Sequence, residues 1–306
     1  MSLALIIPDR KLDDLQQRLQ AALPNTKIEI WPDLTSVQDV SFAVVWKQPQ
    51  GSLASLPNLK AIQCFGAGVD AILSDPTLPD LPIARIVDSH LTQSMLQYLD
   101  GIVSYYLLRF DLFSYQQRQQ IWKPKSPRRI ENITVLGLGE LGRAAAQYFA
   151  QKDYHVSGWA RTSKQLPDVS CFYGDAGLQE ATANADIIIC LLPLTSATEN
   201  MLNSAFFSQL KAGAILINAA RGAIVDDTAL LNALTNGQLE AACLDVFRQE
   251  PLPKEHPFWT QPKVLITPHI SAVTNVGTAV AQIVENYQRC QRGDTLLNLV
   301  DVVRGY

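Results

Sequence analysis

Ile133-Thr134-Val135-Leu136-Gly137-Leu138-Gly139-Glu140-Leu141-Gly142-Arg143-Ala144-Ala145-Ala146 decides how the chain is read. A short apolar run with β-branched residues passes into Gly-x-Gly-x-x-Gly and then into helix formers that continue to about Gln151, so the spacing predicts strand, tight turn and helix. In that setting Gly137 permits the turn, Gly139 lets a pyrophosphate approach the backbone, and Gly142 lets helix and strand pack closely. The helix start, with Glu140 and Leu141 in its first turn, aims free N–H groups at the phosphates. A glycine turn that holds no ligand is the competing reading.

Outward from this loop, the chain alternates strands and helices in both directions. After it come strand candidates His155 to Trp159, Ser170 to Tyr173, Asp186 to Leu191, Ala214 to Asn218, Ala241 to Val246 and Val264 to Thr267, which with Ile133 to Leu136 make one parallel sheet of about seven strands. Before it lie Leu3 to Ile7, Lys27 to Ile30, Ala43 to Trp46, Ala61 to Phe65 and Ala84 to Val87, with a helix over Leu12 to Ala22. Gln93 to Trp122 carries apolar residues at helical spacing and reads as one long helix. A last helix is expected from Ser271 to about Arg292, stopped by Gly293. The fold class is therefore α/β, with two doubly wound parallel-sheet domains, which suits 306 residues at roughly 150 residues per domain.

Composition narrows the function classes. The chain is 47% hydrophobic and 18% charged, and 25 Lys and Arg against 29 Asp and Glu leave a net charge of −4. No positive field favours nucleic acid, and Lys123, Lys125, Arg128 and Arg129 form a short basic run broken by Pro124 and Pro127. No apolar stretch approaches the ~20 residues of a membrane helix, and the Leu3 to Ile7 run is too short for a secretory signal. Cys64, Cys171, Cys190, Cys243 and Cys290 show no metal-ligand or disulfide spacing. Reduced core thiols, a cytoplasmic location, no membrane partner and no metal are expected.

In dinucleotide sites of this kind, an acid about 20 residues beyond the glycine loop receives the ribose hydroxyls of NAD. Here the second strand ends at Ala160 and is followed by Arg161, Thr162, Ser163 and Lys164. Two cations flanking two hydroxyls suit a 2′-phosphate, so NADPH is expected over NADH. The alternative is a merely polar, exposed loop.

Reacting groups are few. Of His90, His155, His256 and His269, only His269 follows the carboxyl end of a predicted parallel strand, where open α/β sheets bind ligands. His155 begins a strand, and His256 reads as solvated in a Pro-rich loop. Arg221 and Glu250 follow two other strand ends. A guanidinium to fork onto a carboxylate, an imidazole to give a proton and an acid to hold the imidazole suit hydride transfer to a 2-oxo acid. Each residue also has a bland reading, as a cap, a surface acid or a core histidine.

Taken with Leu192-Pro193-Leu194-Thr195, Asn218 to Asp226, Leu244-Asp245-Val246-Phe247, Glu250-Pro251-Leu252 and Thr267-Pro268-His269-Ile270, the sequence resembles the D-isomer-specific 2-hydroxyacid dehydrogenases, nearest their glyoxylate/hydroxypyruvate reductase branch. The resemblance implies a catalytic triad of Arg221, Glu250 and His269. It implies a Rossmann cofactor domain over 96–274 and a flavodoxin-like substrate domain over 1–95 and 275–306. Leu192, Pro193, Ala219, Ala220 and Asp245 would contact the cofactor. Phe65-Gly66-Ala67-Gly68-Val69-Asp70 looks like the loop whose N–H groups hold the substrate carboxylate, with Gly66, Ala67 and Gly68 at the substrate together with Arg221 and His269, and Trp46 walling a small pocket. The arm 93–122 is similar to the one through which such proteins form homodimers. The expected reaction is NADPH-dependent reduction of glyoxylate or hydroxypyruvate. A dehydrogenase for a bulkier 2-oxo acid and a non-catalytic NAD(P)H-sensing protein of the same fold are the alternatives.

Overall fold

The computed structural model describes every residue except Asp9. The chain divides into two compact units, one formed by Met1–Leu91 with Thr274–Tyr306 and the other by Thr92–Val273.

The first unit is built on β1 (Ser2–Ile6), α1 (Asp13–Ala22), β2 (Lys27–Ile30), β3 (Val40–Val45), β4 (Ala61–Cys64), the short α2 (Asp70–Leu73) and β5 (Ile83–Ala84). All strands are parallel, in the order β2-β1-β3-β4-β5. Continuous apolar strands suit a sheet covered on both faces. On β1, Leu3 and Leu5 join Leu15 and Leu19 of α1 and Ile283 and Tyr287 of the helix Val276–Arg292. Its alternate residues Ala4 and Ile6 pack with Leu53, Leu56 and Ile72 on the other face.

The second unit begins within α3 (Ser89–Leu107), followed by α4 (Phe110–Arg118), β6 (Asn132–Leu136), α5 (Glu140–Ala150), β7 (His155–Ala160), β8 (Ser170–Tyr173), α6 (Gly174–Thr182), β9 (Ile187–Cys190), α7 (Ser204–Ser208), β10 (Ala214–Asn218), α8 (Asp227–Thr235), β11 (Leu239–Leu244) and β12 (Val264–Ile266). Seven parallel strands run β12-β11-β10-β9-β6-β7-β8. Strand order reverses between β6 and β9, the crevice where a doubly wound sheet receives a dinucleotide. Central β9 is fully buried, with Ile187 and Ile189 against Ala145 and Phe149 of α5 and Ile188 and Cys190 against Phe206 and Leu230.

Two expected helices differ from the structure. The stretch 93–122 is not one helix: Arg109 takes φ +60 between α3 and α4. The reason is a cap from distant sequence. The Arg128 amide donates to the Leu107 carbonyl at 2.8 Å and its guanidinium donates to the Tyr106 carbonyl at 2.7 Å, satisfying the last turn of α3, while the same guanidinium forks onto Asp111. The last helix starts at Val276 rather than Ser271, because Asn275 caps it by accepting from the Gly277 and Thr278 amides. Gly293, at φ +78, ends it as the sequence suggests.

Candidate active site

The glycine loop has the geometry that its spacing predicts. Gly137 sits at φ +98, and a Cβ there would stand 2.8 Å from the Leu191 carbonyl oxygen. At Gly142 a Cβ would lie 1.7 Å from the Gly137 carbonyl oxygen, so α5 rests directly on the turn. Gly139 is different: nothing lies within 4 Å of the place its Cβ would take. It is also the N-cap of α5 and offers no side-chain cap, so the first-turn amides, those of Glu140 and Leu141 among them, face an open approach. These residues fit a dinucleotide pyrophosphate. The neighbouring strand ends supply Leu192 and Pro193 after β9, and Ala219 and Ala220 after β10. Thr198 holds the former loop by donating to the Pro193 carbonyl at 2.6 Å. Buried Asn218 holds the latter by accepting from the Ala220 amide and donating to the Arg221 carbonyl, both at 3.1 Å. After Ala160 at the end of β7, the four residues Arg161, Thr162, Ser163 and Lys164 are exposed and contain no carboxylate.

Arg221, Glu250 and His269 follow β10, β11 and β12, three strands that are neighbours in the sheet. A Cβ on Gly222 would come within 2.0 Å of the Phe247 carbonyl carbon, so the segment carrying Arg221 lies backbone to backbone against the loop that leads to Glu250. Glu250 accepts the Phe247 amide through Oε1 at 3.1 Å, and its Oε2 stands 2.8 Å from Nδ1 of His269. A carboxylate on Nδ1 fixes the ring and leaves Nε2 as the nitrogen able to pass a proton. The Arg221 guanidinium donates to its own neighbour's carbonyl, that of Ala220, at 2.7 Å.

His269 adopts φ +55, a left-handed conformation that costs a non-glycine residue about 1–3 kcal/mol. Asp245 enforces it. The His269 amide donates to the Asp245 carbonyl at 2.8 Å, while the Asp245 carboxylate accepts from the Thr267 hydroxyl at 2.6 Å and from the Ile270 and Ser271 amides at 2.9 Å each. Asp245 is wholly buried. Through both oxygens it wraps the histidine loop.

Sequence reasoning missed two partners in this wrap. Tyr98 of α3 shares a hydrogen bond of 2.8 Å with Thr267 and one of 3.3 Å with Cys243. Burial pushes the Tyr98 phenol far up and the Cys243 thiol up to about 12, so both stay neutral. In the sequence Tyr98 is one more residue of the helical stretch 93–122, and nothing local marks it. His256 is also more than solvated: its Nδ1 accepts the Phe258 amide and its Nε2 lies 3.4 Å from Asp227. His155 is exposed at the start of β7, at the amino end of the parallel strands rather than the carboxyl end.

In the first unit, Trp46 follows β3 and the Gly66–Gly68 loop follows β4 by one residue. The Gly66 carbonyl accepts the Ile86 amide at 2.9 Å and the Gly68 carbonyl accepts the Cys64 thiol at 3.2 Å. With the carbonyls so engaged, the amides of 66, 67 and 68 meet no acceptor among the described residues.

The model of "D-isomer specific 2-hydroxyacid dehydrogenase, NAD binding domain" matches residues 104–271. The chain is 42% identical over 296 residues to a glyoxylate/hydroxypyruvate reductase A of Yersinia enterocolitica, with 94% of each chain covered. It is 40% identical over 299 residues to the protein of the same name from Serratia proteamaculans, again with 94% of each covered. A D-isomer specific 2-hydroxyacid dehydrogenase from Xanthobacter autotrophicus, solved in complex with NADPH and MES, superposes with a TM-score of 0.94 at 39% identity, covering 100% of this chain and 99% of that one. An NADPH-dependent glyoxylate/hydroxypyruvate reductase from Sinorhizobium meliloti, solved with NADP and sulfate, gives 0.93 at 30% identity with both chains fully covered.

Proposed function

The chain belongs to the D-isomer specific 2-hydroxyacid dehydrogenase family, and from that premise we propose that it reduces glyoxylate and hydroxypyruvate with NADPH, giving glycolate and D-glycerate. The observation that carries the reading is the 2.8 Å contact of His269 Nδ1 with Glu250 at the end of the same sheet that presents the open Gly139 turn. NADPH, when bound, supplies the hydride to the carbonyl carbon.

The protein supplies the rest. The Gly137 to Gly142 turn and the start of α5 bind the pyrophosphate. Arg161 and Lys164, with Thr162 and Ser163 between them, take the 2′-phosphate. Arg221 forks onto the acid and polarises the carbonyl that is reduced. His269 gives the proton from Nε2 to the oxygen as it becomes an alkoxide, and Glu250 steadies the imidazolium before that transfer. Gly66, Ala67 and Gly68 receive the substrate carboxylate on their amides, with Trp46 limiting the length of acid accepted.

A protein that only sensed the nucleotide would have no use for a held imidazole and an adjacent carboxylate, which is why we read the site as catalytic. Among the described residues, no helix is long and apolar enough to cross a membrane. We place the enzyme in the cytoplasm, in keeping with cysteines that form no disulfide. We further propose a homodimer through α3 and α4 and the segment after them, where Phe110, Tyr115 and Ile121 are exposed and Trp122 is 99% exposed. Sedimentation that finds a monomer at micromolar concentration would overturn the dimer. Loss of NADPH absorbance on adding glyoxylate tests the reaction itself. A silent assay across 2-oxo acids of increasing length would overturn it.

A further inference from the structure

Arg10 is a cation of the first unit. It lies in the loop after β1, next to Trp46 after β3 and Phe65 after β4. Strands β1 and β3 are neighbours in the sheet, although α1 and β2 separate them in sequence. In a sheet ordered 2-1-3-4-5, that pair is the switch point at which ligands bind beyond the carboxyl ends.

The guanidinium carbon of Arg10 stands 5.5 Å from the Trp46 ring centroid and 5.8 Å from that of Phe65. Both are within cation–π reach. Trp46 is in turn seated on the substrate loop, since a Cβ on Gly66 would meet its Cζ3 at 2.1 Å. The cation, its two rings and the three open amides thus form one assembly. Packing against the rings removes part of the guanidinium's water and lowers its pKa. No carboxylate among the described residues compensates that loss. A guanidinium held against aromatic rings still has N–H donors in its own plane, arranged for a planar carboxylate.

We propose that Arg10 is a specificity-determining residue that contacts the substrate: held by Trp46 and Phe65, its guanidinium binds the carboxylate of the 2-oxo acid beside the Gly66–Gly68 amides. This rests on the reading of that loop as the carboxylate holder. The β1 loop thereby adds charge recognition to that of the loop amides, and it selects for an ionised acid over a neutral carbonyl compound.

The test is steady-state kinetics of the full-length enzyme with saturating NADPH. Arg10→Gln should raise KM for glyoxylate about 10- to 100-fold, the loss expected for a charged hydrogen-bonding pair. Its kcat should stay within about threefold, and its NADPH affinity by fluorescence titration should not change. Arg10→Lys should fall between, because it keeps the charge and loses the fork. Toward ethyl glyoxylate, which carries no anionic group, Arg10→Gln and wild type should have equal kcat/KM. An unchanged KM for glyoxylate in Arg10→Gln overturns the proposal, and so does an equal loss on the ester. Ala67→Pro, which removes one of the three amide donors and adds no Cβ at Gly66 to strike Trp46, separates the two readings. If it raises KM while Arg10→Gln does not, the loop stands and Arg10 falls, whereas if neither raises KM, the loop reading itself is wrong.

Discussion

Gly222 lies against Phe247 so closely that a Cβ on the glycine would stand 2.0 Å from the phenylalanine's carbonyl carbon. That approach ties the strand end carrying Arg221 to the loop carrying Glu250. Gly222→Ala must push the two backbones apart, and overpacking of this kind costs about 1–3 kcal/mol. The variant should melt lower, and its kcat should fall about tenfold or more as the acid and guanidinium separate. Calorimetry with a parallel assay checks both, and wild-type values in each would show that the contact is dispensable.

Glu250 and His269 should behave as a unit. His269→Ala is expected to lower kcat by about 10²- to 10⁴-fold. Glu250→Gln keeps the size of the side chain but removes the charge next to Nδ1. It should lower kcat by about tenfold or more, because the ring that gives the proton loses the carboxylate that steadies it. A kcat equal to wild type would deny Glu250 this role.

Gly139 offers the reverse of Gly222, since its missing Cβ meets only open space. Gly139→Ala should therefore leave the melting temperature in place and weaken NADPH by about tenfold or more, as the methyl occupies the approach of the pyrophosphate. Titration of nucleotide fluorescence measures this. Undiminished affinity would mean that the phosphates bind elsewhere.

On the proposed reading, Arg161 and Lys164 set the choice of nucleotide. Replacing both with Ser should reduce kcat/KM for NADPH about 10- to 100-fold while changing that for NADH less than about twofold. An equal loss with both cofactors would reduce these residues to general electrostatics.

What could be foreseen from the sequence was whatever is encoded within a few neighbouring residues. The Gly137 to Gly142 turn, the parallel strands and the strand-end positions of Arg221, Glu250 and His269 are local patterns: a short continuous apolar run, a period of 3.6, or a glycine where a side chain will not fit. The break at Arg109 was not legible, because its cause is Arg128, which arrives from a later segment to finish α3. The work of Asp245 was hidden for a similar reason. The motif marks the residue, and only the folded chain reveals that Thr267, Ile270 and Ser271 donate to its oxygens. Tyr98 and Arg10 depend on contacts far apart in sequence, Tyr98 with Thr267 and Arg10 with Trp46 and Phe65.

The imidazole hangs from the rim. β12 is the outermost strand of its sheet and three residues long, paired on one side only, and His269 comes three positions after it. Peeling so short a margin demands far less than dismantling the buried centre around Ile187 and Ile189. On slow heating, turnover should therefore vanish several degrees before the calorimetric peak, and the amides of 264–266 should be among the first in the sheet to exchange with deuterium. Coincident loss of activity and heat absorption would mean that the margin is welded to the interior.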